Sequence, residues 1–136
     1  MKDTDELRAA RDMRRAVLGD TYVDAQTTDP GLDPEPEVPS VAAEFQDYLT
    51  TTAWGVWARG GALSPRDRSL LVLAMTAALG RMEEFRLHLD GAPRIGVTDA
   101  EVDELLFQIA AYCGAPAGSA ARRSVRSVRA QRGDAG

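Results

Sequence analysis

The segment RMEEFRLHL, residues 81–89, carries the one histidine of the chain. His88 stands four residues after Glu84 and seven after Arg81, a spacing that puts the three side chains near one face of an α-helix. An imidazole beside a carboxylate, with a guanidinium further back, is a set that can handle protons on an anionic substrate. The same spacing equally describes a solvated helix surface, on which a Glu–His pair at i,i+4 adds slightly to helix stability. A metal centre fits less well. Glu83, Glu84 and His88 have no second histidine or cysteine cluster beside them, so no metal is expected. Cys113 is the lone cysteine, which rules out an intrachain disulfide and a CxxC dithiol.

Two further groups bear on chemistry. Trp54 and Trp57 are three residues apart and share a helix face, where they either pack in a core or subunit interface or wall a pocket. Arg122, Arg123, Arg126, Arg129 and Arg132 recur at helical intervals without interleaved aromatics. They read as a solvated C-terminal helix that complements its own dipole rather than as a phosphate-binding array.

The bulk composition narrows the field. A chain of 136 residues with 44% hydrophobic and 27% charged residues is long enough for one domain around one core. The net charge of −5, from 21 acidic and 16 basic side chains, argues against a general nucleic-acid binder. It leaves room for an anionic small molecule, because a few arginines set a local field that net charge does not report. The longest apolar run, LLVLAMTAAL at residues 70–79, is too short to span a bilayer and reads as a buried core helix. The charged start, MKDTDELRAARDMRR, lacks the order of a signal peptide. The expectation is a soluble cytoplasmic protein, and a composition rich in Ala, Arg, Asp and Gly suits a bacterial genome of high GC content.

The elements that must position these residues are all helical. Thr4 caps a helix that reaches Gly19, with Tyr22 and Val23 packing after a turn. The N-terminal arm, residues 1–26, is followed by TTDPGLDPEPEVPS, residues 27–40, a proline- and acid-rich stretch expected to be an extended loop. The main helical region is residues 41–136. A helix after Ser40 carries Val41, Phe45, Tyr48, Leu49, Trp54 and Trp57, and stops at the RGG of residues 59–61. Ser64 and Pro65 open the next helix, which closes on Gly80. The His88 helix runs from about Arg81 to Gly91 or Pro93. Thr98 and Glu101 form a capping box for a helix whose core face is Leu105, Leu106, Ile109 and Ala110 and which Gly114 ends. A last helix spans residues 116–132. No run alternates as a strand does, so the fold class is all-α with about six helices.

In this order and spacing, the stretches WGVWARGGALSPRDRSLLVLAMTAALGRMEEFRLHLDGA and GVTDAEVDELLFQIAAYCGAPAG resemble the carboxymuconolactone decarboxylase family over residues 44–130. RRAVLGDTYVD is similar to the start of the members from protocatechuate catabolism. Alkylhydroperoxidase-like members of the same superfamily carry a CxxC pair ahead of the histidine, and here those positions hold Arg81 and Glu84. The resemblance is therefore to the decarboxylase branch.

That resemblance implies an alkylhydroperoxidase-D-like helical subunit assembled into a homo-oligomer, a hexamer or trimer. It also implies cofactor-free loss of carbon dioxide from 4-carboxymuconolactone, giving the β-ketoadipate enol-lactone of aromatic catabolism. The departing carboxylate sits across a C=C bond from the lactone carbonyl, so the electron pair it leaves delocalises into a dienolate and no cofactor is needed. By this reading Arg68 and Arg81 hold the substrate carboxylates, and Arg86 is turned away from His88. His88 donates the proton or stabilises the oxyanion, Glu84 orients the imidazole and raises its pKa, and Trp54, Trp57 and Tyr112 form an apolar wall. Pro93 and the insert at 27–40 depart from the family pattern, and Pro93 ends the His88 helix early. Two other functions remain open: recruitment of the scaffold to another lactone or β-keto acid in natural-product assembly, and a non-catalytic oligomeric binding protein.

Overall fold

Side-chain caps at Thr4, Ser64 and Thr98 start three helices of this chain, and the computed structural model bears out all three as read from sequence. It describes residues 4–28 and 39–133, all helix, turn or loop with no strand among them. These residues divide into two units, one ending at Ala62 and the other beginning at Leu63.

In the first unit the Thr4 hydroxyl accepts from the Leu7 amide at 3.1 Å and opens α1, Asp5–Leu18. Such a cap is worth about 1 kcal/mol. Leu7, Ala10, Val17 and Leu18 form its buried stripe. Gly19, at φ 87°, ends the helix, and a second short helix, α2, Asp20–Thr28, follows at once. Sequence reading expected only a packed turn there. Arg15 holds the corner through Asp20 at 3.1 Å and Asp24 at 2.9 Å, and the two carboxylates raise its pKa.

Of the stretch expected as a loop over 27–40, residues 27–28 close α2, residues 39–40 open α3, and 29–38 lie outside the described residues. Helix α3, Pro39–Leu49, runs through a π-helical turn, Thr50–Trp54, into α4, Gly55–Ala58. Helix α1 packs on the π turn and α4, and Arg11 reaches Asp47 of α3 at 2.9 Å.

The second unit is built from α5 (Pro65–Ala78), α6 (Met82–Gly91), a 3-10 turn (Ala92–Ile95), α7 (Asp99–Cys113) and α8 (Ala115–Gln131). Ser64 caps α5 through the Asp67 amide at 3.1 Å, and Thr98 with Glu101 forms the expected capping box on α7. Helix α6 gives way to the 3-10 turn at Ala92, one residue before Pro93, as the ring's effect on a helix requires. Leu73, Ala77, Phe85, Leu89, Val102, Ile109, Ala121 and Val125 make the core. Helix α5 is not buried all round, as its apolar run implied. Leu71, Met75 and Leu79 stay exposed at i, i+4 and i+8. On α7 the buried positions are Val102 and Ile109, with Leu105 and Leu106 only partly covered.

Helices α7 and α8 run antiparallel and meet closely. A Cβ added at Gly118 stands 2.7 Å from the Ala110 Cβ and 3.1 Å from its Cα. At the far end Arg129 pairs with Asp103 at 2.8 Å and Arg132 with Asp99 at 3.2 Å. The substitution Gly118→Val therefore forces the helices apart and lowers the unfolding free energy by about 2 kcal/mol or more, measured by urea denaturation.

Candidate active site

Helices α5 and α6 form a hairpin whose turn is fixed by Gly80 at φ 72°, with the Arg81 amide donating to the Thr76 carbonyl at 2.8 Å. The sense of the pair is set at the other end. Arg66 Nε donates to the Gly96 carbonyl at 3.2 Å, and the same guanidinium pairs with Glu101. The start of α5 thus lies against the turn that follows α6, and the two helices are antiparallel.

This arrangement sorts the sequence candidates. Arg68, in the first turn of α5, and His88, in the last turn of α6, are both buried, at 9% and 8% exposure. Counted from the hairpin turn, they differ in height by only about 6 Å along the helix axes. Arg81 and Glu84 are exposed and lie towards the turn, with Arg81 about 10 Å from His88 along α6. The hairpin therefore brings Arg68 to the histidine's end and leaves Arg81 at the opposite one. Arg86 turns to α8, where its Nε donates to Ser124 Oγ at 3.3 Å. Tyr112, near the end of α7, is 84% exposed. Trp54 and Trp57 belong to the first unit, buried with ring centroids 5.2 Å apart at 36°.

One residue escaped the sequence reading. Ser69 is fully buried on α5 beside Arg68, and its hydroxyl has no hydrogen-bond partner among the described residues. It stands in line with Leu73 and Ala77, at i+4 and i+8, on the inner stripe of the helix. A single serine at the head of an apolar run carries no pattern by which sequence could find it.

The charge state of His88 differs from expectation. Burial lowers its pKa from 6.5 to about 4, against a smaller upward pull from Glu84. Glu84 acts in the sense expected of it, but from an exposed position where solvent weakens its field, and desolvation of the imidazolium wins. At neutral pH the imidazole is uncharged, with one ring nitrogen donating and the other accepting. Among the described residues no group of three His, Cys, Asp or Glu side chains is placed to hold a metal ion.

This buried end of the hairpin lies inside a stretch with known relatives. Residues 43–127 match the sequence model of the carboxymuconolactone decarboxylase family. Across 129 residues, 94% of this chain and 90% of the relative, the sequence is 33% identical to a 4-carboxymuconolactone decarboxylase of Acinetobacter baylyi. The chain belongs to the carboxymuconolactone decarboxylase family. A second relative, 35% identical over 105 residues, is the nitrosuccinic acid decarboxylase of Metarhizium robertsii, with 76% of this chain and 67% of that protein aligned. Both family relatives are named as decarboxylases, which supports carboxy-lyase activity here.

The lowered pKa of His88 has a consequence for stability. Between about 4 and 6.5 the unfolded chain binds more protons at this residue than the folded one. Protonation of His88 therefore takes nothing from stability above pH 6.5 and destabilises the fold increasingly as pH falls towards 4, by about 3 kcal/mol at the limit. Urea unfolding of wild type and His88→Gln across that range isolates the effect: the wild type loses more stability on acidification, and the gap between the two stops changing with pH above 6.5.

Proposed function

We propose that this chain decarboxylates a small dicarboxylic acid whose departing carboxylate sits beside a built-in electron sink, with 4-carboxymuconolactone as the first candidate. The observation that carries this is the burial of His88 and Arg68 at one end of the α5–α6 hairpin, within the stretch that matches the family. Support for the class of acid comes from the two compounds in the relatives' names. Each has two carboxylates, and each has an acceptor for the electron pair: an unsaturated lactone carbonyl in one, a nitro group in the other. A substrate that carries its own sink asks the protein for an anchor, a dry pocket and a donor to the new oxyanion.

Arg68 supplies the anchor. Its guanidinium grips the carboxylate that stays, through paired hydrogen bonds. As the C–C bond breaks, carbon dioxide leaves and the electron pair runs to the lactone oxygen. His88, uncharged, donates its N–H to that oxygen, so the developing charge meets a fixed donor in a site where water does not compete. One proton from solvent closes the reaction at carbon. Glu84 modulates the imidazole from the surface, and Arg81, at the turn of the hairpin, stays outside the site.

We infer, too, that the chain forms a homo-oligomer. Leu71, Met75 and Leu79 on α5, with Phe107 and Tyr112 on α7, leave apolar side chains exposed that a second copy can cover. Sedimentation tests this: Met75→Glu lowers the assembled mass.

Activity is followed as loss of substrate absorbance. His88→Ala lowers kcat by about 100-fold or more, the cost of removing an oxyanion donor. Arg68→Lys raises KM by about tenfold, because an ammonium cannot hold a carboxylate through two bonds. Glu84→Gln changes kcat by less than about threefold. Because the active imidazole is uncharged, kcat/KM stays level from pH 6 to pH 8. A fall in kcat/KM through pH 6.5, as a charged imidazole demands, overturns the assignment, and a purified wild type that turns over neither acid overturns the function.

A further inference from the structure

Three hydroxyl-bearing residues are buried among the described residues: Thr50, Ser69 and Ser124. Two have partners within the protein. Thr50 accepts from Gln46 Nε2 at 3.2 Å and Ser124 from Arg86 Nε at 3.3 Å. The third, Ser69, has none among the described residues, although it is 0% exposed.

The missing bond is not forced by the helix. Thr76, seven residues on in the same helix, donates its hydroxyl to the Val72 carbonyl at 2.7 Å. That back-bond is the usual way to satisfy a hydroxyl inside a helix. Ser69 does not make it. A buried hydroxyl without a partner destabilises the fold, and an alanine of nearly the same size removes that cost. The position is also specific. Ser69 adjoins Arg68 in the first turn of α5, and it heads the inner stripe that continues through Leu73 and Ala77. On α6, His88 lies between Phe85 and Ala92 in the stripe packed into the same core. The unpartnered hydroxyl therefore sits in the interior at the end of the hairpin where both candidate catalytic groups are buried.

We propose that Ser69 is a further catalytic residue: its hydroxyl donates a hydrogen bond to the oxygen that gains charge as carbon dioxide leaves. No bond to Ser69 forms or breaks and no proton is transferred. The hydroxyl remains a neutral donor, and its only acceptor is the ligand's oxygen. A neutral donor suits this task better than a second cation beside Arg68, because the oxyanion exists only after the carboxylate has gone. The free protein carries the cost of the unsatisfied group, and the reaction recovers it at the transition state. This inference rests on the reading of the chain as a decarboxylase.

The test compares wild type with Ser69→Ala, using 4-carboxymuconolactone and nitrosuccinic acid as the probes and urea unfolding as the second measurement. For whichever acid the wild type turns over, Ser69→Ala lowers kcat by at least about tenfold and moves KM by less than about threefold. Its urea midpoint stays unchanged or rises. A purely structural serine gives the opposite pattern, a lower midpoint with kcat falling alongside it. That result, or a kcat equal to the wild type's, overturns the proposal while leaving the decarboxylase reading in place. A wild type inactive on both acids overturns that reading and this proposal together.

Discussion

The structure depends on a penalty it does not avoid: polar groups are buried at one end of an otherwise apolar helical core. Arg68, Ser69 and His88 occupy positions on α5 and α6 where Leu73, Ala77, Phe85 and Leu89 show what the interior prefers. Each polar group there lowers the hydrophobic return of its helix. His88 shows the result most directly, since burial keeps its proton off to a pH of about 4 despite a carboxylate one turn away. A protein that only needed to fold gains nothing from this arrangement. One that must stabilise a transient anion away from water gains a site whose donors are already desolvated.

The helices that carry these buried groups are fixed by much of the second unit. The Gly80 turn joins α5 to α6 within three residues, and the Arg66–Gly96–Glu101 tie clamps the opposite end of the pair to the start of α7. Helix α8 is in turn locked to α7 by the close approach at Gly118 and by the Arg129 and Arg132 ion pairs. The C-terminal arginines are thus divided in their work. Two of the five read from sequence as a solvated face are parts of a seam between helices.

Local chemistry was legible in the sequence, and tertiary burial was not. Thr4, Ser64 and the Thr98–Glu101 box start helices where their side chains say, because a cap acts over three residues. Gly19, Gly80 and Gly114 stop them for the same local reason, each adopting a positive φ. The π turn at Thr50–Trp54 and the helix at Asp20–Thr28 left no such marks. The face shared by Arg81, Glu84 and His88 was a correct reading of spacing, yet spacing does not say which of three residues on one face goes inside. Burial divides them, and it also reverses the expected charge of the histidine. Arg68 was found through family resemblance. Ser69 was missed because its importance lies in a bond it does not make.

Antiparallel helices bring unlike ends together. The amino end of α5, with its partial positive charge, lies beside the carboxyl end of α6, with its partial negative charge, so their two macrodipoles largely cancel at the place where His88 and Arg68 are buried. The backbone scaffold is therefore electrically quiet there, and the potential a ligand meets is written by a handful of side chains. A scaffold of that kind can be turned towards a different acid by replacing those side chains while its helices stay as they are.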